Sequence, residues 1–99
     1  MTDSFRFDAE LWEYTGQAAW VFLTVPVAQS ADIAAIPREP RPGFGSIRVS
    51  VTLGESTWLT SIFPDSKSGT FLLPVKKAIR AREGVSPGDV VGVRLELLE

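Results

Sequence analysis

A chain of 99 residues with 44% apolar side chains has enough material for one modest core and too much for a disordered segment, while a net charge of −2 gives no bulk attraction for nucleic acid or anionic lipid. Cysteine and histidine are both absent, which excludes disulfides, thiolate nucleophiles, Cys/His metal sites and a serine–histidine triad. The early acidic residues and the lack of a basic-flanked apolar run argue against a signal peptide, and the longest apolar stretch, Ala18 to Ala28, is broken by Thr24 and Pro26 and too short for a bilayer; a cytoplasmic protein with no membrane contact is the expectation.

From Phe5 to Tyr14 apolar and charged residues alternate, with Phe5, Phe7, Ala9 and Leu11 on one face and Arg6, Asp8 and Glu10 on the other. That period of two reads as a half-buried strand. Trp12 and Tyr14 fall on the polar face, so the strand bends or meets a second apolar layer near its end. Thr15-Gly16 supplies turn residues, and Ala18 to Val25 returns as a nearly continuous apolar strand, with Trp20 expected in the core. These two strands are expected to pair as a hairpin.

Ser30 to Ile36 suggests one or two helical turns, with Ser30 as cap and Asp32 in the first turn. Pro37 ends it, and PREPRPGFG makes an irregular connection rather than a domain boundary. Ile47, Val49, Val51 and Leu53 alternate with polar residues in the clearest strand of the chain. Gly54-Glu55-Ser56 turns it, and Thr57 to Phe63 pairs back. Pro64 to Gly69 is a loop by composition, and Thr70 to Leu73 a short strand. Pro74 suits the first position of a helix that carries Lys76, Lys77, Arg80 and Arg82 and stops at Gly84. Ser86 to Asp89 fits a type II turn, and Val91, Val93, Leu95 and Leu97 point inward from a last strand. The sum is a mainly β, small, closed or nearly closed antiparallel β-barrel with two short helices, one domain over residues 1–99.

The strand FDAELWEY, the segment PREPRPGFGSIRVSVTL, TWLTSIFP and above all FLLPVKKAIRAREGVSPGDVVGVRLEL resemble the domain-of-unknown-function family 1905. The resemblance runs from about Phe5 to Leu98. It implies a compact barrel and carries no established activity. More locally, Leu72 to Leu97 resembles the swapped-hairpin DNA-binding fold of bacterial transition-state regulators and antitoxins, which implies a symmetric dimer on DNA. The long N-terminal and central hairpins depart from that pattern.

Among candidate functional residues the basic helix comes first. Arg80 and Arg82 sit near its C-terminus, where cations complement the helix dipole. Lys76 and Lys77 sit at its start, where the dipole opposes them, which points to a bound anion; a solvated face, or pairing with Asp65 or Glu83, is the plain alternative. Trp58 and Trp12 share strand faces with polar residues, and an indole beside Arg48 or Arg94 can stack an aromatic ligand; plugging a barrel end is the ordinary use of such a ring. Asp8, Glu10 and Glu13 suit a charged edge better than a cation site, and Ser66-Lys67-Ser68 is a turn. No catalytic set, metal site or cofactor is expected. The expected function is a non-enzymatic binding or interaction module, monomeric or weakly dimeric, that recognises an anionic small molecule or protein through Arg48, Trp58, Lys76, Lys77 and Arg80. The alternatives are a swapped-hairpin DNA-binding regulator, which would bring nucleic acid in as a partner, and an enzyme using carboxylate and lysine chemistry at Glu10, Glu13, Lys76 or Lys77.

Overall fold

Ile47, Val49, Val51 and Leu53 are buried and the residues between them are not, as a period of two requires of a sheet with one face on a core. The computed structural model describes residues 3–16, 20–36 and 45–98. Its elements are β1 (Ser4–Glu10), β2 (Trp12–Glu13), β3 (Val21–Thr24), α1 (Val27–Ala35), β4 (Ile47–Leu53), β5 (Ser56–Asp65), β6 (Thr70–Pro74), α2 (Lys77–Glu83) and β7 (Val90–Leu97). The strands form one antiparallel sheet in the order β1-β7-β4-β5-β6-β3-β2. Its two edges are the two halves of the N-terminal segment. The fold is mainly β with two helices, as expected, but the sheet curls into a half-barrel and does not close.

The N-terminal hairpin is not the expected one. Strand β1 pairs along its whole length with β7, from Ser4↔Glu96 to Glu10↔Val90. Only β2 pairs with β3, through Trp12↔Phe22 and Glu13↔Val21. The bend lies at Leu11, whose side chain is fully buried and whose main chain is held by the SPGD turn: Leu11 N–H donates to Asp89 O at 2.9 Å, and Gly88 N–H donates to Leu11 O at 2.8 Å. Trp12 and Tyr14 therefore leave β1's sheet face altogether.

Trp20 is not in the core. Val21, Leu23 and Val25 point inward, so Phe22 and its neighbours of even number point out, and Trp20 is 52% exposed. The return strand looks apolar on both faces because its outer face carries an aromatic cluster. Phe22 sits at its centre, stacked with Trp20 (5.9 Å between ring centroids, 21° between planes), tilted against Trp12 (5.2 Å) and edge-on to Tyr14 (6.3 Å). The Trp12 indole N–H donates to Thr24 Oγ1 at 2.9 Å. Ala18 and Ala19 of the expected strand, and Pro37 to Phe44 of the proline-rich connection, lie outside the described residues.

The first helix starts earlier than expected. Pro26 precedes it, and Ser30 lies inside it rather than at its cap. Ser30 is buried because its hydroxyl completes the β3–β6 ladder. Val25 N–H donates directly to Phe71 O at 2.9 Å, while the return bond passes through the serine: Phe71 N–H donates to Ser30 Oγ (3.2 Å), which donates to Val25 O (3.0 Å). Pro74 is likewise the last residue of β6 and not the first of the helix. Lys76 is the cap residue in extended conformation, and Gly84 closes the helix at φ 66°, ψ 38°. One hydrophobic cluster draws on both helices and every strand except β2.

Trp20→Ala should cost only about 1 kcal/mol, the scale of an exposed aromatic contact, whereas Leu23→Ala should cost roughly 2–5 kcal/mol as a core truncation. Equal losses in urea melts would put the indole inside. Ser30→Ala, which strands the Phe71 N–H in the interior, should cost roughly 1–3 kcal/mol and speed amide exchange at Phe71; unchanged protection there would mean the hydroxyl is no part of the ladder.

Candidate functional site

Strand β5 changes partners part-way along. Ser56 to Ile62 pair with β4, and Phe63 to Asp65 with β6. Main-chain groups of successive strand residues face opposite neighbours. On β6, Phe71 and Val75 give theirs to β3, through Val25 N–H to Phe71 O and Val75 N–H to Val21 O, both 2.9 Å. Leu72 and Pro74 therefore face β5. Pro74 has no N–H to donate, and the β5–β6 ladder ends one rung earlier, at Phe63↔Leu72.

Past that rung the two strands part, and a groove of about 340 Å³ opens between them. Trp58, Leu59 and Thr60 of β5 line one side, and Pro74 to Lys77 with Arg80 the other; Trp20 and Val21 complete it. Of the five expected ligand-contacting residues, four meet here: Trp58, Lys76, Lys77 and Arg80. Arg48 does not. It is exposed on β4 opposite Ser61, outside the groove lining. Trp58 points into the core and is only 8% exposed, so it offers the groove a sliver of its ring. The broad aromatic surface belongs to Trp20, which sequence reasoning placed in the core; the signal was the strict alternation of Val21, Leu23 and Val25, whose phase puts Trp20 outside.

Among the described residues the charges lining the groove are of one sign, and none of them is acidic. The two carboxylates that pairing would call on are committed elsewhere. Asp65 accepts from Lys67 N–H (3.3 Å) and Ser68 Oγ (2.7 Å) in its own loop. Glu83 accepts from Ser56 Oγ (2.5 Å) and Glu55 N–H (3.3 Å), tying the end of α2 to the β4–β5 turn. That turn needs glycine at Gly54 twice over. Its φ is +61°, and a Cβ there would collide with Glu83 Oε1. Arg80 donates from Nε to Val75 O at 3.1 Å, which lays its stem along the groove wall. Glu10 and Glu13, the carboxylates of the enzyme alternative, are exposed on β1 and β2, outside the groove lining.

Among the described residues no three His, Cys, Asp or Glu side chains gather to hold a metal ion, and no helix is long and apolar enough to cross a membrane. In the β6–α2–β7 unit each strand has both neighbours within this chain: β6 lies between β5 and β3, β7 between β1 and β4.

These features define a mainly β half-barrel with a basic groove where its sheet parts. The chain belongs to the family described as Domain of unknown function (DUF1905), whose model matches residues 7–95. No curated protein matches the chain.

Glu83→Ala should cost about 1–3 kcal/mol, because it leaves the buried Ser56 hydroxyl and the Glu55 N–H without their acceptor. A double-mutant cycle with Ser56→Ala should give a coupling of at least about 0.5 kcal/mol; additive losses would mean the carboxylate does not hold the turn.

Proposed function

We propose that the protein is a binding module whose groove takes a flat amphipathic anion. The observation that carries this is a groove lined by Lys76, Lys77 and Arg80, with no acidic residue among the described ones, beside a half-exposed indole. The acidic group of the ligand meets the ammonium and guanidinium groups. Its flat apolar part lies on Trp20, already stacked on Phe22, and on Pro74 and Leu59. Alternation along β5 also turns the main-chain groups of Leu59 away from β4 and toward the groove, which gives the ligand a donor and an acceptor on the apolar wall. Every wall comes from one chain, so a monomer suffices.

An amide-resolved NMR titration with aromatic carboxylates, nucleotides and a short DNA duplex tests this at low and moderate salt. Saturable shifts should cluster on Lys76, Lys77 and Arg80 and on the Trp20 indole N–H. The Lys76→Gln/Lys77→Gln pair should weaken binding several-fold without changing the fold. Linear drift with every small anion would sink the reading. Saturation by the duplex alone, with a steep salt dependence, would favour the DNA-binding regulator.

A further inference from the structure

The outer face of β1, β7 and β4 places two arginines side by side. Arg6 is the register partner of Arg94, and Arg94 of Thr52. Leu97 N–H donates to Asp3 O and Leu98 N–H to Arg48 O, so odd-numbered residues of β7 face β1 and even-numbered ones face β4. Arg6 and Arg94 are thus a non-hydrogen-bonded pair, the kind whose side chains stand closest. Like charges directly opposite on a sheet destabilise it. Asp8 and Glu96 stand two residues along the strands, yet neither guanidinium makes an ion pair or hydrogen bond among the described residues.

Gly92 lies in β7 with no positive φ to require glycine, and an interior strand glycine weakens a sheet unless something approaches closely. Asp8 partly explains it, since a Cβ at Gly92 would sit 3.3 Å from Asp8 Oδ1. With Gly54 on β4's turn, Gly92 lines a trough of about 550 Å³ shared with Arg6, Asp8, Thr52 and Arg94. The Thr52 and Thr57 hydroxyls bond each other at 3.1 Å, a contact that uses one of their two protons and leaves the other to donate.

We propose that this trough is a second anion site, independent of the groove, in which Arg6 and Arg94 clamp one small oxoanion, a phosphate or a carboxylate, over Gly92. The bound charge turns the Arg6–Arg94 repulsion into a shared attraction, and guanidinium forks suit the planar or tetrahedral oxygens of such a group. Asp8 at the same trough opposes the anion, so it limits affinity rather than contributing to it.

The test is a titration with inorganic phosphate at constant ionic strength, read on the arginine Nε–Hε resonances, followed by citrate as the carboxylate arm. Saturable shifts are expected at Arg6, Arg94 and the Gly92 amide. Arg94→Gln should weaken binding by roughly tenfold or more, Asp8→Asn should tighten it, and Lys76→Gln in the groove should leave it unchanged. Thermal melts give a second readout. In chloride buffer Arg94→Gln should melt no lower than the wild type, and phosphate should raise the Tm of the wild type but not of the variant. Linear shifts, or a phosphate-dependent rise in Tm that survives in Arg94→Gln, would overturn the proposal.

Discussion

Strand β5 cannot keep one partner along its length, and two prolines decide where it changes. On its own strand the even-numbered residues face β4, since Ser56 closes the two-residue turn against Leu53. Pro64 continues that series just past the last β4 rung, at Ile47↔Ile62, and has no N–H to extend it. On β6, Pro74 stands where the next bond to β5 would form. One proline ends the ladder on one side and the other ends it on the opposite side. Between them β5 passes from the four-stranded half of the sheet to the other half. The groove opens where that transfer takes place.

A sheet that parts must be held by something other than its ladder, and here each helix is held by one serine. Ser30 carries α1 into the β3–β6 ladder by standing in for a direct main-chain bond. Ser56 receives the end of α2 through Glu83. Both hydroxyls are buried, and among the described residues no buried side-chain nitrogen or oxygen lacks a partner. A buried polar group that is satisfied in only one arrangement penalises the alternatives by the cost of leaving it unsatisfied. Apolar packing alone, through Ile33 and Ile79, would let either helix slide. The same carboxylate that fixes α2 is thereby withheld from Lys76 and Lys77, so the anchor also sets the charge of the groove.

Local signals in the chain were good guides wherever a structural unit is local. The period of two from Ile47 to Leu53, the Gly84 stop and the Ser86 to Asp89 turn are each written within a few residues, and each stands as read; the turn after Leu53 is one residue shorter than the expected Gly54-Glu55-Ser56, because Ser56 already pairs with Leu53. What failed depended on partners far away in sequence. Phe5 to Tyr14 looks like one strand, and only the SPGD turn, nearly eighty residues on, bends it at Leu11. Trp20 looked buried because an apolar neighbour on each side suggests two covered faces; the outer cover is an aromatic cluster, not a second layer. Ser30 looked like a cap because its ladder partner Phe71 is 41 residues away. The lysines were legible as misplaced charge, but that Arg48 lies apart from them was a matter of sheet order, which spacing does not encode.

A chain with net charge −2 and unpaired basic residues on two separate surfaces has a field that reverses over short distances. At physiological ionic strength charges are screened beyond roughly 8 Å, so an approaching ligand meets whichever patch it touches and little else. A long polyanion reaching beyond the groove leaves the three cations that line it, on a chain whose acidic residues outnumber its basic ones. A ligand no longer than the groove stays with Lys76, Lys77 and Arg80. On the proposed reading, selection by size comes from where the charges lie rather than from net charge, and it favours a compact anion over a strand or duplex of nucleic acid. The aromatic cluster points the proposed reading in the same direction: Trp20 offers one flat surface backed by Phe22, room for one ring beside the cations and not for a row of them.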